Sequence, residues 1–419
     1  TFRDLPIFNG DISNWNPSSG FIMDYMFYEA ISFNQDISDW DVSTCTQMYG
    51  MFGYATAFNQ PIGNWDVSNV KLFNDMFWEA SSFNQPIGNW DLSSATSINA
   101  MFNHATAFNQ DIDDWDVSNL TQLVWVFRHA SAFNQDLSSW DVSSVTNMTG
   151  SFEGASSFNQ NIGGWDVSNV QYMNGMFSGA SSFNQNLNNW DVSNVTNMTF
   201  IFNAASDFNG DISNWDVSQV TNMSWMFSYA YNFNQDIGNW DVSRVSNMHD
   251  MFWDANSFNQ NLADWNVAKV TDMGGMFSTA DNFNQDLSGW CVPLISSLPT
   301  WFSTGSLLST SQLPNWGSCP CSDTIITQPQ DFTYLSGNST APSFYVSHSS
   351  DSASFQWQQN LGFGWVNVLD TGIYSGANND TLLLNNPSVA LNATNYRAII
   401  GHCFTTDTTS LALLTLIDS

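Results

Sequence analysis

Phenylalanine returns every 25 residues from Phe8 through Phe33 and Phe58 to Phe283, twelve times without an insertion. Asn follows it each time, from Asn9 to Asn284, and Trp stands seven residues after it, from Trp15 to Trp290. A second Phe ladder runs from Phe27 to Phe302, and an Ala ladder from Ala30 to Ala280 becomes Gly305 in the last unit. One copy places Phe208, Ile212, Trp215, Val217, Val220, Met223, Met226, Phe227 and Ala230 at its apolar positions. These spacings mix twos, threes and fours, so neither one strand nor one helix fits. A unit this small cannot bury its own apolar face, so neighbours must stack and set like residues on like. The spacing predicts a short strand over 211–215, a second extended piece over 217–223 and one helical turn over 224–230. At ~4.8 Å per stacked strand, the whole ladder makes a rod of roughly 60 Å.

The polar columns need partners. An Asn amide flanked by buried Phe and Ile is costly unless it is bonded. Stacked Asn side chains are expected to bond to one another and to turn backbone. The Trp and Phe columns read as core; an exposed Trp stripe that stacks on sugar rings is the alternative.

Only 11% of the 419 residues are charged, and 38 acids face 6 bases for a formal charge of −32. Such a surface repels nucleic acid and anionic membranes, which sets both aside as partners. The longest apolar run falls short of the ~20 residues of a membrane-spanning helix, so no direct insertion is expected. No signal peptide opens the chain. Its first residues read as the tail of a repeat-like unit, so we expect a fragment, or the processed form, of a longer polypeptide. The apolar Phe2, Leu5 and Ile7, with no anchor or sorting tail at the other end, point to one piece of a larger assembly.

The stretches 233–255 (FNQDIGNWDVSRVSNMHDMFWDA) and 183–205 (FNQNLNNWDVSNVTNMTFIFNAA) resemble BspA-type leucine-rich repeats, known from mycoplasma surface lipoproteins and common in Bacteroidota. The resemblance covers roughly residues 5–305, and it implies surface exposure and adhesion with no catalytic residues to carry over.

After Trp290 the pattern changes. Cys291 stands where Asp or Asn stood before, and a Pro-, Ser- and Gly-rich stretch runs to Cys319. An open solenoid end invites aggregation, so this stretch reads as a cap, stapled by a Cys291–Cys319 disulfide. Cys45 occupies a column filled elsewhere by Val70, Val145 and Val170, and reads as a small buried free thiol. Beyond residue 322 the period vanishes. Short alternating segments at 343–346, 354–358, 365–369, 381–384, 396–400 and 411–416 argue for a β-sandwich. With Trp357 and Tyr396, this part resembles the immunoglobulin-like modules of secreted Bacteroidota proteins. It departs from antibody domains at Ala398, where the cross-sheet cysteine would stand; Cys403 pairing with Cys321 is the alternative. The fold class is therefore mainly β with short helical turns. A leucine-rich-repeat-like parallel solenoid of about 12 coils spans 1–305, a cap and linker 306–321, and an immunoglobulin-like sandwich 322–419.

No catalytic motif emerges. The G-x-S-x-G, P-loop and H-E-x-x-H patterns are missing. His104 and His129 share a column without an evident carboxylate cluster, so a zinc site is not expected. Asp41, Asp66, Asp91, Asp116, Asp141, Asp166, Asp191, Asp216 and Asp241 form one column. A glycosidase needs one differentiated carboxylate pair, which equivalent repeats do not supply. Like charges this close repel. Either each Asp caps turn amides two residues on, or the column holds Ca2+; no other cofactor is expected. The pattern Asp-Ser/Thr-aliphatic (or Thr) resembles an O-glycosylation signal of secreted Bacteroidota proteins, and marks Thr324, Ser352, Thr381 and Thr408.

These readings converge on a non-enzymatic extracellular protein of the cell surface, a module of an appendage or filament that mediates attachment. Its partners are other copies or subunits of that assembly, or surface molecules of host, prey or neighbouring cells. The alternative is a carbohydrate-binding receptor for nutrient capture, acting through Trp78, Trp125, Trp225 and Trp253.

Overall fold

Backbone bonds within each repeat alternate between two directions. The N–H groups of Met223, Trp225, Phe227 and Tyr229 donate to the carbonyls of Asn247, His249, Met251 and Trp253, one repeat further on. Those of Met226, Ser228 and Ala230 turn back to the carbonyls of Met223, Trp225 and Phe227. Trp225 and Tyr229 take left-handed φ values of 61° and 59° to make this possible. The same two columns are left-handed in repeat after repeat, from Tyr25 and Glu29 to Gly275 and Thr279.

A computed structural model describes residues 1–15, 17–319, 324–335, 341–349, 353–402 and 405–417. It divides into two units, Thr1–Gly317 and Ser318–Ser419. The first unit corrects the predicted elements. The helical turn expected over 224–230 does not form, because the N–H groups of Trp225, Phe227 and Tyr229 leave for the next repeat. No strand forms over 211–215; Trp215 instead closes a turn on the Ile212 carbonyl. Of the piece 217–223, Asn222 alone pairs, in single parallel bridges to Asn197 and Asn247. The molecule is nearly all β and turn, with the short 3-10 helices Thr310–Gln312 and Val389–Leu391 as its helices among the described residues.

Stacking buries the columns as expected. Phe177 and Phe183 stack within one repeat at 4.1 Å between ring centroids, and Phe177 stacks on Phe202 of the next at 5.7 Å, with planes within 3° of parallel. That spacing exceeds the ~4.8 Å of parallel strands, so the rings are offset as aromatic quadrupoles prefer. Phe2 sits one repeat before Phe27 and stacks on it at 5.5 Å. At the other end the parallel stack stops: Phe302 stands edge-on to Phe277 at 86°, and Trp316 edge-on to Phe302 at 82°. Gln312 donates to the Asn284 carbonyl there, in the place of the repeats' own Gln. Cys291 and Cys319 are disulfide-bonded, as the sequence implied.

Among its described residues the second unit contains eleven strands: β1 (Ile325–Thr327), β2 (Phe332–Leu335), β3 (Ser343–Tyr345), β4 (Ser347–His348), β5 (Ser354–Asn360), β6 (Trp365–Asn367), β7 (Tyr374–Ser375), β8 (Thr381–Leu384), β9 (Thr394–His402), β10 (Thr405–Thr408) and β11 (Ala412–Ile417). One sheet runs β2-β11-β9-β5-β6, with β10 beside β9; a second runs β3-β8-β7; β1 pairs with β4. Phe344, Leu382 and Leu384 of the smaller sheet and Trp357, Tyr396, Ile400 and Leu414 of the larger one bury a single core. Ala398 lies directly across from Trp357 on the neighbouring strand of the larger sheet, and both are buried.

Candidate functional site

The nine Asp candidates are engaged by their own turns. Each accepts the amide of the Ser two residues on, from Ser43 on Asp41 at 3.1 Å to Ser243 on Asp241 at 3.0 Å. Bonds from the Ser hydroxyl and then its amide hold Asp41, Asp91, Asp141, Asp191 and Asp241 below the usual carboxylate range. Among the described residues no three His, Cys, Asp or Glu side chains gather to hold a metal. The His104 and His129 rings lie 4.4 Å apart, tilted at 45°. One carboxylate lies near each: Glu79 lies 3.5 Å from His104 and Glu153 3.9 Å from His129. Glu79 stands 25 residues before His104, a signal the sequence carried; Glu153 lies one column over and gave none.

Cys45 is free and buried, and burial pushes its thiol up. Cys321, Cys403 and Ser352 lie outside the described residues. Thr324 and Thr408 are exposed, whereas Thr381 is half-buried and donates to Asp380. The Trp column is core, with Trp215 3% exposed, and Trp15 at 56% is the exception.

The outward features concentrate in the left-handed columns. Trp125, Gly150, Gly175 and Phe200 occupy one of them in successive repeats. Trp125 leans across Gly150, where a Cβ would meet its Cδ1 at 2.5 Å. Gly175 has open space above it. Phe200 stacks on Trp225 at 5.6 Å. Between Trp125 and Phe200 a cleft of about 410 Å³ opens, flanked by Thr149, Glu153, Asn174, Ser178 and Asn203. Thr149 donates to the Asn174 Oδ1 at 3.1 Å, and Ser178 to the Asn203 Oδ1 at 3.4 Å. Arg128 donates to Glu153 at 2.9 Å and lies 5.8 Å over the Trp125 ring, which neutralises the carboxylate and braces the indole. Beyond Phe200 the aromatic surface continues through Trp225 and Trp253, 5.4 Å apart. Sequence reasoning named Trp125, Trp225 and Trp253 but missed Phe200 and the Gly175 floor; the glycines of this column were the available signal.

Stacked repeats, nearly all β and turn, followed by a unit of β-sheets around one core, define a tandem-repeat protein. Residues 1–115, 96–213 and 201–316 match the family described as "Mycoplasma protein of unknown function, DUF285". The chain belongs to that family. No curated protein matches it. Among solved structures, a chimeric titin Z1Z2 functionalised with a KLER exogenous peptide from decorin is 17% identical over 23% of this chain and 95% of its own, at a TM-score of 0.19. A three-immunoglobulin-domain titin structure carrying an E-to-A mutation is 13% identical over 23% of this chain and 32% of its own, at a TM-score of 0.18. Likenesses this slight do not define a fold.

Proposed function

We propose that the chain is a non-enzymatic adhesive module of a cell surface: a BspA-type leucine-rich-repeat solenoid of about 12 coils followed by an immunoglobulin-like β-sandwich. One observation carries this reading. The recurring polar side chains are engaged either in their own turns or in bonds between coils, and what differs from coil to coil is an outward aromatic face, Trp125, Phe200, Trp225 and Trp253. An enzyme needs the opposite, one differentiated polar cluster in a cleft. The Cys291–Cys319 bond supports an oxidising exterior. The order β2-β11-β9-β5-β6 opposite β3-β8-β7 supports the immunoglobulin-like assignment, since it places the Trp strand β5 beside the Tyr strand β9. Beads coated with the chain are expected to attach to cells or to a surface polymer above albumin-coated beads. Attachment no better than albumin, or hydrolysis of a polysaccharide by the purified chain, contradicts the proposal. The aromatic face also favours a second reading, a carbohydrate receptor for nutrient capture, in which soluble oligosaccharide is bound without any attachment of beads.

A further inference from the structure

We infer that the cleft over Gly175 binds a sugar ring of a neutral oligosaccharide; this rests on the adhesive reading and names its ligand class. The cleft's volume, about 410 Å³, lies in the range of small-ligand sites. Its two ends are rings, Trp125 and Phe200, with 43% and 40% of their surface exposed. Its sides are hydroxyl and amide groups, Thr149, Asn174, Ser178 and Asn203. A pyranose presents the matching surface: an apolar C–H face for a ring, and hydroxyls around its edge for amides and hydroxyls. The Asn174 and Asn203 oxygens accept from Thr149 and Ser178, and the Asn203 amide nitrogen donates to the Ser228 carbonyl, so the Asn174 amide nitrogen is the main donor offered to a ligand, with the second N–H of Asn203 beside it.

Other occupants fit less well. An apolar peptide side chain leaves the polar flanks without partners, which is unfavourable on desolvation. A quaternary ammonium seeks an aromatic face, but the Trp125 ring already carries the Arg128 guanidinium. An acidic glycan meets a chain of net charge −32, and the one nearby guanidinium is paired with Glu153.

The test uses the full chain on an array of neutral hexose oligosaccharides and their sialylated and sulfated counterparts, followed by biolayer interferometry on the best binder. Two variants probe the cleft. Trp125→Ala removes one ring. Gly175→Trp fills the cavity, and the backbone accepts it: Trp125 and Trp225 sit in the same column at φ 58° and 61°, against 65° for Gly175. We expect neutral glycan binding, weakened at least tenfold by Trp125→Ala and abolished by Gly175→Trp, with unchanged circular dichroism and melting in the second. Undiminished binding by Gly175→Trp overturns the cleft as the site. Preference for acidic glycans, or capture of a quaternary ammonium or apolar peptide probe instead, overturns the ligand class. Bead attachment to cells with no glycan bound overturns this inference and leaves the adhesive reading standing.

Discussion

The indole nitrogen of Trp215 donates to the carbonyl of Leu187, 28 residues earlier in the chain, at 2.9 Å. The same bond joins each repeat to the one before it from Trp40 to Trp290. Each indole therefore fills the core and fastens two coils at once. Trp215→Phe keeps one aromatic ring and loses the donor, together with the smaller ring of the indole. The Leu187 carbonyl still accepts the Trp190 amide, so the lost bond itself costs about 1 kcal/mol, and the lost ring volume adds to it. Trp215→Ala also opens a cavity and should cost about 3–5 kcal/mol. Guanidinium unfolding of both variants measures the difference, and equal stability of the Phe variant and the parent would show that the bond contributes nothing.

Asn159 is a second fastener. Its Oδ1 accepts the backbone amide of Asn184 at 2.9 Å and the side-chain amide of Gln185 at 2.7 Å, both from the following repeat. Asn159→Ala leaves both donors without this acceptor, and the expected destabilisation is about 2 kcal/mol. Asn159→Asp retains the acceptor and should remain closer to the parent at neutral pH. Thermal melting that ranks Asp below Ala would refute this account.

Asp191 gives a pH dependence with a definite sign. Its carboxyl is held below the ordinary range by Ser193, through the hydroxyl first and the amide second. A depressed folded-state pKa contributes stability that is present above the unfolded value, near 3.9, and is lost as pH falls through the folded value. Asn is a fair control, because Asn266 caps the amide of Ala268 at the equivalent place. The melting temperature of Asp191→Asn, measured at pH 6 and again near pH 3, should gain on the parent as acid is added. A constant gap between the two proteins would exclude the capping bond as a source of stability.

The cysteines predict contrasting reactivity. Reducing Cys291–Cys319 should destabilise the cap end by about 3 kcal/mol, the scale for a loop of this length. Buried Cys45, with its thiol pushed up by desolvation, should resist iodoacetamide in the folded chain and react after unfolding. Mass spectrometry of the alkylated peptides reads both; rapid native labelling of Cys45 would contradict its place in the core.

The columns were legible because burial selects residue type. Phe177, Trp215 and Cys45 were placed correctly from spacing alone, and six strands of the second unit coincide with the alternating segments read from the sequence. The local backbone was not legible. A period-two or period-3.6 reading assumes right-handed geometry, whereas each repeat returns to αL at two positions. Those positions hold Trp225 and Tyr229 as readily as Gly150 and Gly154, so no residue type marks them consistently. The Asn column shows the same limit. Its need for partners was clear, but the partners are the next repeat's backbone amide and Gln, which depend on the coil geometry and not on composition. The cleft was half visible, since aromatic residues announce themselves and an empty floor does not.

The left-handed columns carry one more consequence. At one of them Tyr25, Gly50, Asp75, Ala100, Trp125 and Phe200 share nearly the same backbone conformation. A left-handed residue other than glycine costs roughly 1–2 kcal/mol, and the bonds to the adjoining repeat hold it there regardless of the side chain. The contacts that hold the coils and the side chains shown to solvent thus lie in separate columns of the same repeat. The surface can be respelled one coil at a time, from glycine to tryptophan, while the frame that displays it stays as it is.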